Sequence, residues 1–186
     1  MPTNSTKLKA GLAGLAALVS LALLAPAGAS AQCAGGGLTP AGVDICTPTP
    51  NARLLKNGML VPPNSAPGRV KRVIAFANRI RTKPYVWGGG HGRWWDRGYD
   101  CSGSVSYALH GGRFLRSPLP SGPLERWGMG GEGRWITVYA NSGHTYATIA
   151  GYRWDTSGNG DGKTGPSWHQ DPRDNVGYVV RHPAGF

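Results

Sequence analysis

Acidic residues are scarce in this sequence. Its 186 residues include 9 Asp and Glu against 20 Lys and Arg, so the formal net charge is +11. The protein is therefore strongly cationic at neutral pH, and this charge favours its association with anionic surroundings. The basic residues are scattered rather than clustered, and no known nucleic-acid-binding motif is present. We therefore expect no nucleic acid partner.

Long hydrophobic runs are also few. The most extended one covers residues 11–24, after Lys7 and Lys9, and a small-x-small sequence ends at Ala31. This arrangement is typical of a secretory signal peptide, which we predict over residues 1–31. The run is too short for a membrane span, and no later segment is apolar enough for one. We expect an exported, soluble protein without a transmembrane span.

Cysteine is scarce too, and its odd number means that not all three thiols can pair within the chain. Cys33 and Cys46 lie close together in a segment rich in Gly, Pro and Thr, so we expect them to form a disulfide in an oxidising compartment. That leaves Cys101 as a candidate reactive thiol. The alternative is an inert buried cysteine.

Periodic apolar patterning is absent from residues 32–66, which predicts an N-terminal arm or linker that carries the expected disulfide. The rest, residues 67–186, is long enough for one domain with a modest core. Its first helix should follow Pro67 and Gly68 and end before Pro84. The apolar stripe that predicts this helix consists of Val70, Val73, Ile74, Ala77 and Ile80.

A second helix is predicted from Cys101 or Ser102 to the glycines at 111 and 112. Residues 114–133 are rich in Gly and Pro and predict a long functional loop. The pattern then becomes that of strands, at residues 135–140, 144–150, 152–156 and 177–181. Helices followed by an antiparallel sheet predict an α+β fold.

Cys101 combines a glycine-rich approach with a predicted helix start. Free backbone N–H groups and the helix dipole at such a position favour the thiolate over the thiol. The thiolate is the nucleophilic form, so the pattern indicates covalent catalysis.

His144 is the candidate base, because it opens a strand directly after a glycine turn. A tight turn at Ala150 and Gly151 would pair Ile149 with Tyr152 and place Asp155 on the same face of the sheet as His144. Asp155 could then orient the imidazole. The alternatives are a half-buried structural histidine and an aspartate that caps the following turn.

These residues resemble the NlpC-type, papain-like cysteine peptidases of bacterial cell walls. The resemblance covers roughly residues 67–180, with Cys101 followed by Ser102-Gly103 and His144 preceded by Ser142-Gly143. It also includes the upstream sequence Pro84-Tyr85-Val86-Trp87-Gly88-Gly89. It implies a papain-like core in which helices carrying the nucleophile pack on a small antiparallel sheet, and it makes residues 67–186 the catalytic domain.

The resemblance also implies roles for individual residues. Cys101 would be the nucleophile and His144 the base. The third position is commonly a second histidine in the family, whereas Asp155 stands there in this chain. His169 is the reserve candidate for that position.

Tyr85, Asp100 and Ser102 match family positions that line the substrate cleft. Asp100 would accept hydrogen bonds from a peptide amine or, alternatively, cap the helix that begins at Cys101. The resemblance implies hydrolysis of amide bonds in peptidoglycan stem peptides, often between D-γ-glutamyl and diaminopimelate residues. It implies no metal and no cofactor. We expect a monomer that is secreted or associated with the wall, where anionic polymers would attract its charge.

Other functions are compatible with parts of the sequence. A non-catalytic cationic protein would bind the wall through charge and tryptophans, with Trp94 and Trp95 as candidates for a cleft wall. An acyltransferase would pass the same thioester to an amine or lipid. A calcium loop would start at Asp155, but its closing position falls on Pro166 where a bidentate Glu is needed.

Overall fold

The computed structural model describes residues 52–158 and 164–186. The predicted signal peptide, the Cys33 and Cys46 pair and the arm up to residue 51 lie outside the described residues. The described helices are α1 Gly68–Ile80, α2 Cys101–Gly111 and α3 Ser121–Leu124. The described strands are β1 Arg53–Leu54, β2 Leu60–Val61, β3 Met129–Gly130, β4 Ile136–Ala140, β5 Thr145–Ile149, β6 Tyr152–Asp155, β7 Ser167–His169 and β8 Val179–His182.

Six of these strands form one antiparallel sheet in the order β3-β8-β4-β5-β6-β7. β1 and β2 form a separate antiparallel pair. The helices α1 and α2 pack on each other, and α2 also lies against β5 and β6. The mixed helix and sheet content predicted from the sequence is confirmed. No helix within the described ranges has the length and apolar character needed to cross a bilayer.

Helix α1 buries the apolar stripe that predicted it. Val70, Val73, Ile74, Ala77 and Ile80 are all fully buried, with Pro67 at the N-terminal boundary. Proline fits there because the first helical N–H groups have no helical acceptor. The helix is thus held by the burial of one face rather than by side-chain capping.

Helix α2 is buried on almost every side. All its residues except His110 are buried, including Ser102, Ser104 and Ser106. A hydrogen bond also joins α2 to the sheet, because fully buried Trp154 of β6 donates from its Nε1 to the Ser104 carbonyl at 3.3 Å. The helix that begins at Cys101 is therefore fixed against the sheet, and His144 directly precedes strand β5 of that sheet.

The turn between β5 and β6 has the predicted register. Ile149 pairs with Tyr152, and Ala150 and Gly151 have φ angles of 50° and 85°. Two successive positive φ angles are typical of a type I′ hairpin turn, whose twist matches that of the strands. This register brings residues 144 and 155 to the same end of the hairpin.

Three elements differ from the sequence-based expectations. Residues 53–61, predicted as part of an aperiodic arm, form the β1–β2 pair, and Leu60 is buried in the core. The short strand β7 was not predicted, and it adds an edge to the sheet beside β6. The loop over residues 114–133 contains α3 and β3. Strands of two or three residues carry too little alternation to be recognised from sequence.

Buried Asn78 joins three parts of the structure. Its side chain bonds both the N–H and the C=O of Leu60, at 3.0 and 2.9 Å, and its Oδ1 accepts from Trp168 Nε1 at 2.9 Å. Asn78→Ala should lower the free energy of unfolding by about 2–4 kcal/mol, because several buried polar groups would lose their partner. Urea denaturation measures this. Arg72→Ala, an exposed change on the same helix, should cost about 0.5 kcal/mol or less, and an equal loss in both variants would contradict the role of Asn78.

Candidate active site

The thiol of Cys101 lies at the first residue of α2, and Asp100 caps that helix. The Asp100 Oδ1 accepts from the Gly103 amide at 2.7 Å, as an N-cap side chain does. A side chain at position 103 would collide with the Gly89 carbonyl, so glycine allows the upstream loop to lie against the helix. The amides of Cys101 and Ser102 precede the first helical hydrogen bond, so no carbonyl of the helix accepts from them.

His144 is held from both its backbone and its ring. Its N–H donates to Asn141 Oδ1 at 2.8 Å, and its Nε2 lies 2.9 Å from Asp155 Oδ1. Because Nε2 bonds the carboxylate, Nδ1 is the ring atom left for the Cys101 thiol, whose interaction with His144 raises the pKa of the ring. The sequence-derived pairing of His144 with Asp155 is therefore present in the structure.

The thiol and the imidazole shift each other toward an ion pair. Burial raises the pKa of the Cys101 thiol, but the hydrogen bond and charge of His144 outweigh it and bring that pKa below its usual value. Burial lowers the pKa of His144, whereas its hydrogen bonds to Asp155 and Cys101 raise it to about 9. Both shifts favour the thiolate–imidazolium pair over the neutral pair, and the thiolate is the nucleophilic form.

Asp155 is fully buried and carries a negative charge. Burial alone would raise the pKa of its carboxyl, but the His144 ring and the guanidinium groups of Arg153 and Arg173 hold it well below the usual range. Its Oδ2 accepts from Arg153 at 2.6 Å and Arg173 at 3.1 Å, and its Oδ1 also accepts from the Ser157 amide. A buried carboxylate needs such donors, since an unpaired charge would be too costly.

The reserve candidate His169 lies elsewhere on the sheet. Its Nε2 is 3.0 Å from Ser167 Oγ, and its neighbour across the sheet is Arg153. Burial and the charge of Arg153 lower the pKa of His169. The geometry thus places Asp155 rather than His169 on the ring of His144.

Of the three residues expected to line the cleft, Asp100 and Ser102 do so beside Cys101, whereas Tyr85 is not among the lining residues. Ser102 Oγ lies 3.3 Å from Asp100 Oδ1. The pKa of Tyr85 is raised by burial and by the negative charges of Cys101 and Asp100. Of the two roles considered for Asp100 from the sequence, a helix cap and a partner for a peptide amine, the structure contains the helix cap. These positions support a cleft around Cys101, while their roles toward substrate stay predictions.

A cleft of about 330 Å³ opens beside Cys101. Residues from the 114–133 loop form part of its wall, as do residues of the turn before His144. Sequence reasoning did not assign His91 and Trp87 to this cleft, although both lie next to its motifs. The lining residues are Trp87, Gly88, His91, Asp100, Cys101, Ser102, Pro120, Ser121, Gly122, Ser142 and Gly143.

The other candidate features do not converge on this cleft. Trp94 stacks on His110 with ring centroids 3.9 Å apart, and Trp95 is exposed beside Lys83. Neither is among the lining residues. No group of three metal-ligating side chains occurs in the described ranges, and residues 159–163 of the calcium-loop pattern lie outside them.

The ion pair predicts a characteristic pH dependence for alkylation of Cys101 by iodoacetamide. The unmutated protein should react at pH values below the ordinary thiol pKa of about 8.5, because the imidazolium stabilises the thiolate. In His144→Gln burial and the charge of Asp100 raise the thiol pKa against the Thr145 backbone hydrogen bond alone. The midpoint should therefore move to higher pH, and the rate at neutral pH should fall about tenfold for each unit. Stopped-flow or mass-spectrometric rates measure this. His182→Gln should leave the profile unchanged, and an unshifted midpoint in His144→Gln would disprove the pairing.

Scans of the sequence against models of known families and against curated proteins find no match. Among solved structures, the chain is similar to a hypothetical invasion protein of Mycobacterium tuberculosis, at 22% identity over 61% of each chain and a TM-score of 0.45. It is similar at 26% identity to the peptidoglycan hydrolase RipB of that organism, over 61% of this chain and 64% of RipB, with a TM-score of 0.44.

A third similar structure is RipD of Mycobacterium tuberculosis, a non-catalytic NlpC/p60 domain protein with an adaptation to peptidoglycan-binding function. The identity is 20%, over 62% of this chain and 98% of that chain, with a TM-score of 0.45. The chain spans about three fifths of the length of the first similar structure. The family that the motifs resemble is thus represented among the structures similar to this fold.

Proposed function

We propose that this protein is an exported cysteine peptidase that hydrolyses amide bonds in peptidoglycan stem peptides, with Cys101, His144 and Asp155 as its catalytic residues. The observation that supports the chemistry is the chain of contacts from the thiol to His144 and from His144 Nε2 to buried Asp155, 2.9 Å away. The substrate class follows from the resemblance of the motifs around Cys101 to the NlpC-type peptidases. The D-γ-glutamyl-diaminopimelate bond is the expected target.

In the first half of the reaction, the Cys101 thiolate attacks the scissile carbonyl and forms a C–S bond. The tetrahedral intermediate collapses as the C–N bond breaks, and protonated His144 gives its Nδ1 proton to the leaving amine. Asp155 keeps the ring oriented and stabilises its charged form. The product is a thioester on Cys101 and a free amine.

In the second half, neutral His144 accepts a proton from water, and the resulting hydroxide attacks the thioester. The C–S bond breaks and returns the Cys101 thiolate beside protonated His144. The Cys101 and Ser102 amides at the start of α2 are the candidate donors to the oxyanion in both steps, because no helical carbonyl accepts from them.

Mass spectrometry of purified peptidoglycan digested with residues 32–186 tests this function. New stem-peptide fragments that appear with the unmutated protein and not with Cys101→Ser would support the peptidase and identify the bond. Binding to the wall without fragments would favour the non-catalytic alternative, in which salt weakens the interaction. Transfer of the acyl group to an added amine in place of water would favour the acyltransferase.

A further inference from the structure

Few charged side chains face the cleft beside Cys101. Among the described lining residues, His91 and Asp100 are the ionisable ones apart from the nucleophile itself. No lysine, arginine or glutamate is among them. Apart from the Cys101–His144 pair, a charged group on the substrate would therefore meet one of these two side chains.

Asp100 is already occupied by donors from its own chain. Its Oδ1 accepts from Gly103 N at 2.7 Å and lies 3.0 Å from His91 Nε2 and 3.3 Å from Ser102 Oγ. Its Oδ2 accepts from Gly88 N at 3.1 Å. With its side chain only 12% exposed, this carboxylate serves the helix start and the glycine loop. A substrate amine would have to displace these donors.

His91 is held in place but retains one ring nitrogen. Its Nε2 makes the contact with Asp100 and also lies 3.2 Å from Ser102 Oγ. Its Nδ1 makes no hydrogen bond within the described residues. The loop that carries it is itself anchored, since the Gly90 amide donates to Asp96 and the Tyr99 hydroxyl donates to the Trp94 carbonyl. The ring is thus an oriented group in the cleft wall.

The surroundings favour a positive charge on this ring. The hydrogen bond to Asp100 raises the pKa of His91, more than its partial burial lowers it. Asp100 also accepts hydrogen bonds from the Gly103 amide at the helix start and from the Gly88 amide. Its negative charge therefore neutralises only part of the positive charge of a protonated His91 ring. A protonated ring offers an N–H at Nδ1, and a charge-assisted hydrogen bond to a carboxylate is stronger than one to a neutral amide.

We propose that His91 selects substrates that carry a free carboxylate beside the scissile amide, through a hydrogen bond from its Nδ1. A γ-linked glutamyl residue has such a group, because its α-carboxylate does not take part in the peptide link. This selection rests on the proposed function for its substrate class. It makes His91 a specificity-determining residue that distinguishes an α-carboxylate from an α-carboxamide.

Binding to the Cys101→Ser protein tests the proposal without requiring turnover. Two γ-D-glutamyl-diaminopimelate peptides serve as probes, identical except for an α-carboxylate or an α-carboxamide on the glutamyl residue. Calorimetry at mildly acidic pH should show about tenfold tighter binding of the carboxylate. Adding His91→Gln should remove most of that preference, because glutamine has no charge. The matched variant His182→Gln changes a histidine that does not line the cleft and should keep the preference.

Equal affinities for the two probes, or a preference that survives His91→Gln, would overturn the assignment, as would binding of neither peptide. Cleavage is scored separately with unmutated Cys101. A preference that depends on His91 without any cleavage would refute the proposed peptidase and leave the carboxylate site standing. Cleavage of both probes with equal kcat/KM would support the proposed peptidase and refute the selection of the carboxylate by His91.

Discussion

Replacing Cys101 by serine should lower peptidase activity by about 10⁴-fold or more. The change substitutes one atom at the start of α2, where a buried hydroxyl is not ionised at neutral pH and forms no thiolate pair with His144. The rate of fragment release from peptidoglycan, followed by mass spectrometry, measures the loss. The midpoint of thermal unfolding should change little, because serine has nearly the shape of cysteine and the same helix already buries the hydroxyl groups of Ser102 and Ser104.

A serine variant that kept more than a few per cent of the activity would contradict covalent catalysis by Cys101. Ser106→Ala is a useful control for the helix, since Ser106 Oγ bonds the backbone of Leu119 rather than the cleft. It should lose stability by about 1 kcal/mol while retaining the pH dependence of cleavage. Activity lost equally in both variants would indicate a general disturbance of α2.

Asp155→Asn should reduce both turnover and stability. We expect kcat to fall by about 10²–10⁴-fold, because the amide neither holds the His144 tautomer nor stabilises its charged form. The pKa of His144 should drop from about 9, since the bond to Asp155 is among the causes that raise it. The alkaline limit of the pH–rate profile should therefore move to lower pH.

The stability loss in Asp155→Asn has a separate cause. Arg153 and Arg173 would lose the buried carboxylate between them, and breaking a buried ion pair costs about 3–5 kcal/mol. Because the folded-state pKa of Asp155 is depressed, its stabilisation is complete above the unfolded pKa of about 3.9 and is lost as pH falls through the folded value. The difference in free energy of unfolding between the unmutated protein and Asp155→Asn should therefore be large at neutral pH and should decrease as the pH falls below about 4.

Urea denaturation across pH measures that gap, and Asp174→Asn is the matched control on an exposed carboxylate. The control should change stability by about 0.5 kcal/mol or less. If Asp155→Asn lost activity while His144 kept its alkaline limit, the carboxylate would act by another route. Unchanged kcat would return His169 to consideration as the third residue.

The predictions that held from sequence rest on local rules. The stripe from Val70 to Ile80 could be read as a helix, because each turn repeats the same apolar position. The start of α2 at Cys101 followed from the capping residue before it and the glycines after it. The contact of His144 with Asp155 followed from a turn of two residues, which sets the register of both strands. In each case the deciding residues are neighbours along the chain.

The predictions that failed or were not made concern contacts between distant segments. Nothing near Leu60 indicates that Asn78 will bond both its backbone groups, and β7 is too short to show a pattern. His91 lies nine residues before Asp100, in a loop whose path depends on bonds to Asp96 and Tyr99. The role of Arg173 beside Asp155 likewise requires a chain reversal that the sequence alone does not specify.

The sequence by itself therefore determined which cysteine and histidine are the candidate nucleophile and base, and on which face the partner of the histidine lies, because periodicity and turn chemistry act over a few residues. Only the tertiary structure decided that Asp155 is enclosed by two arginines, that Asp100 serves the helix start, and that His91 lines the cleft with its Nε2 on Asp100. These features depend on which segments pack together once the core is buried. Side chains far apart in the chain acquire their charge and hydrogen-bonding partners through that packing.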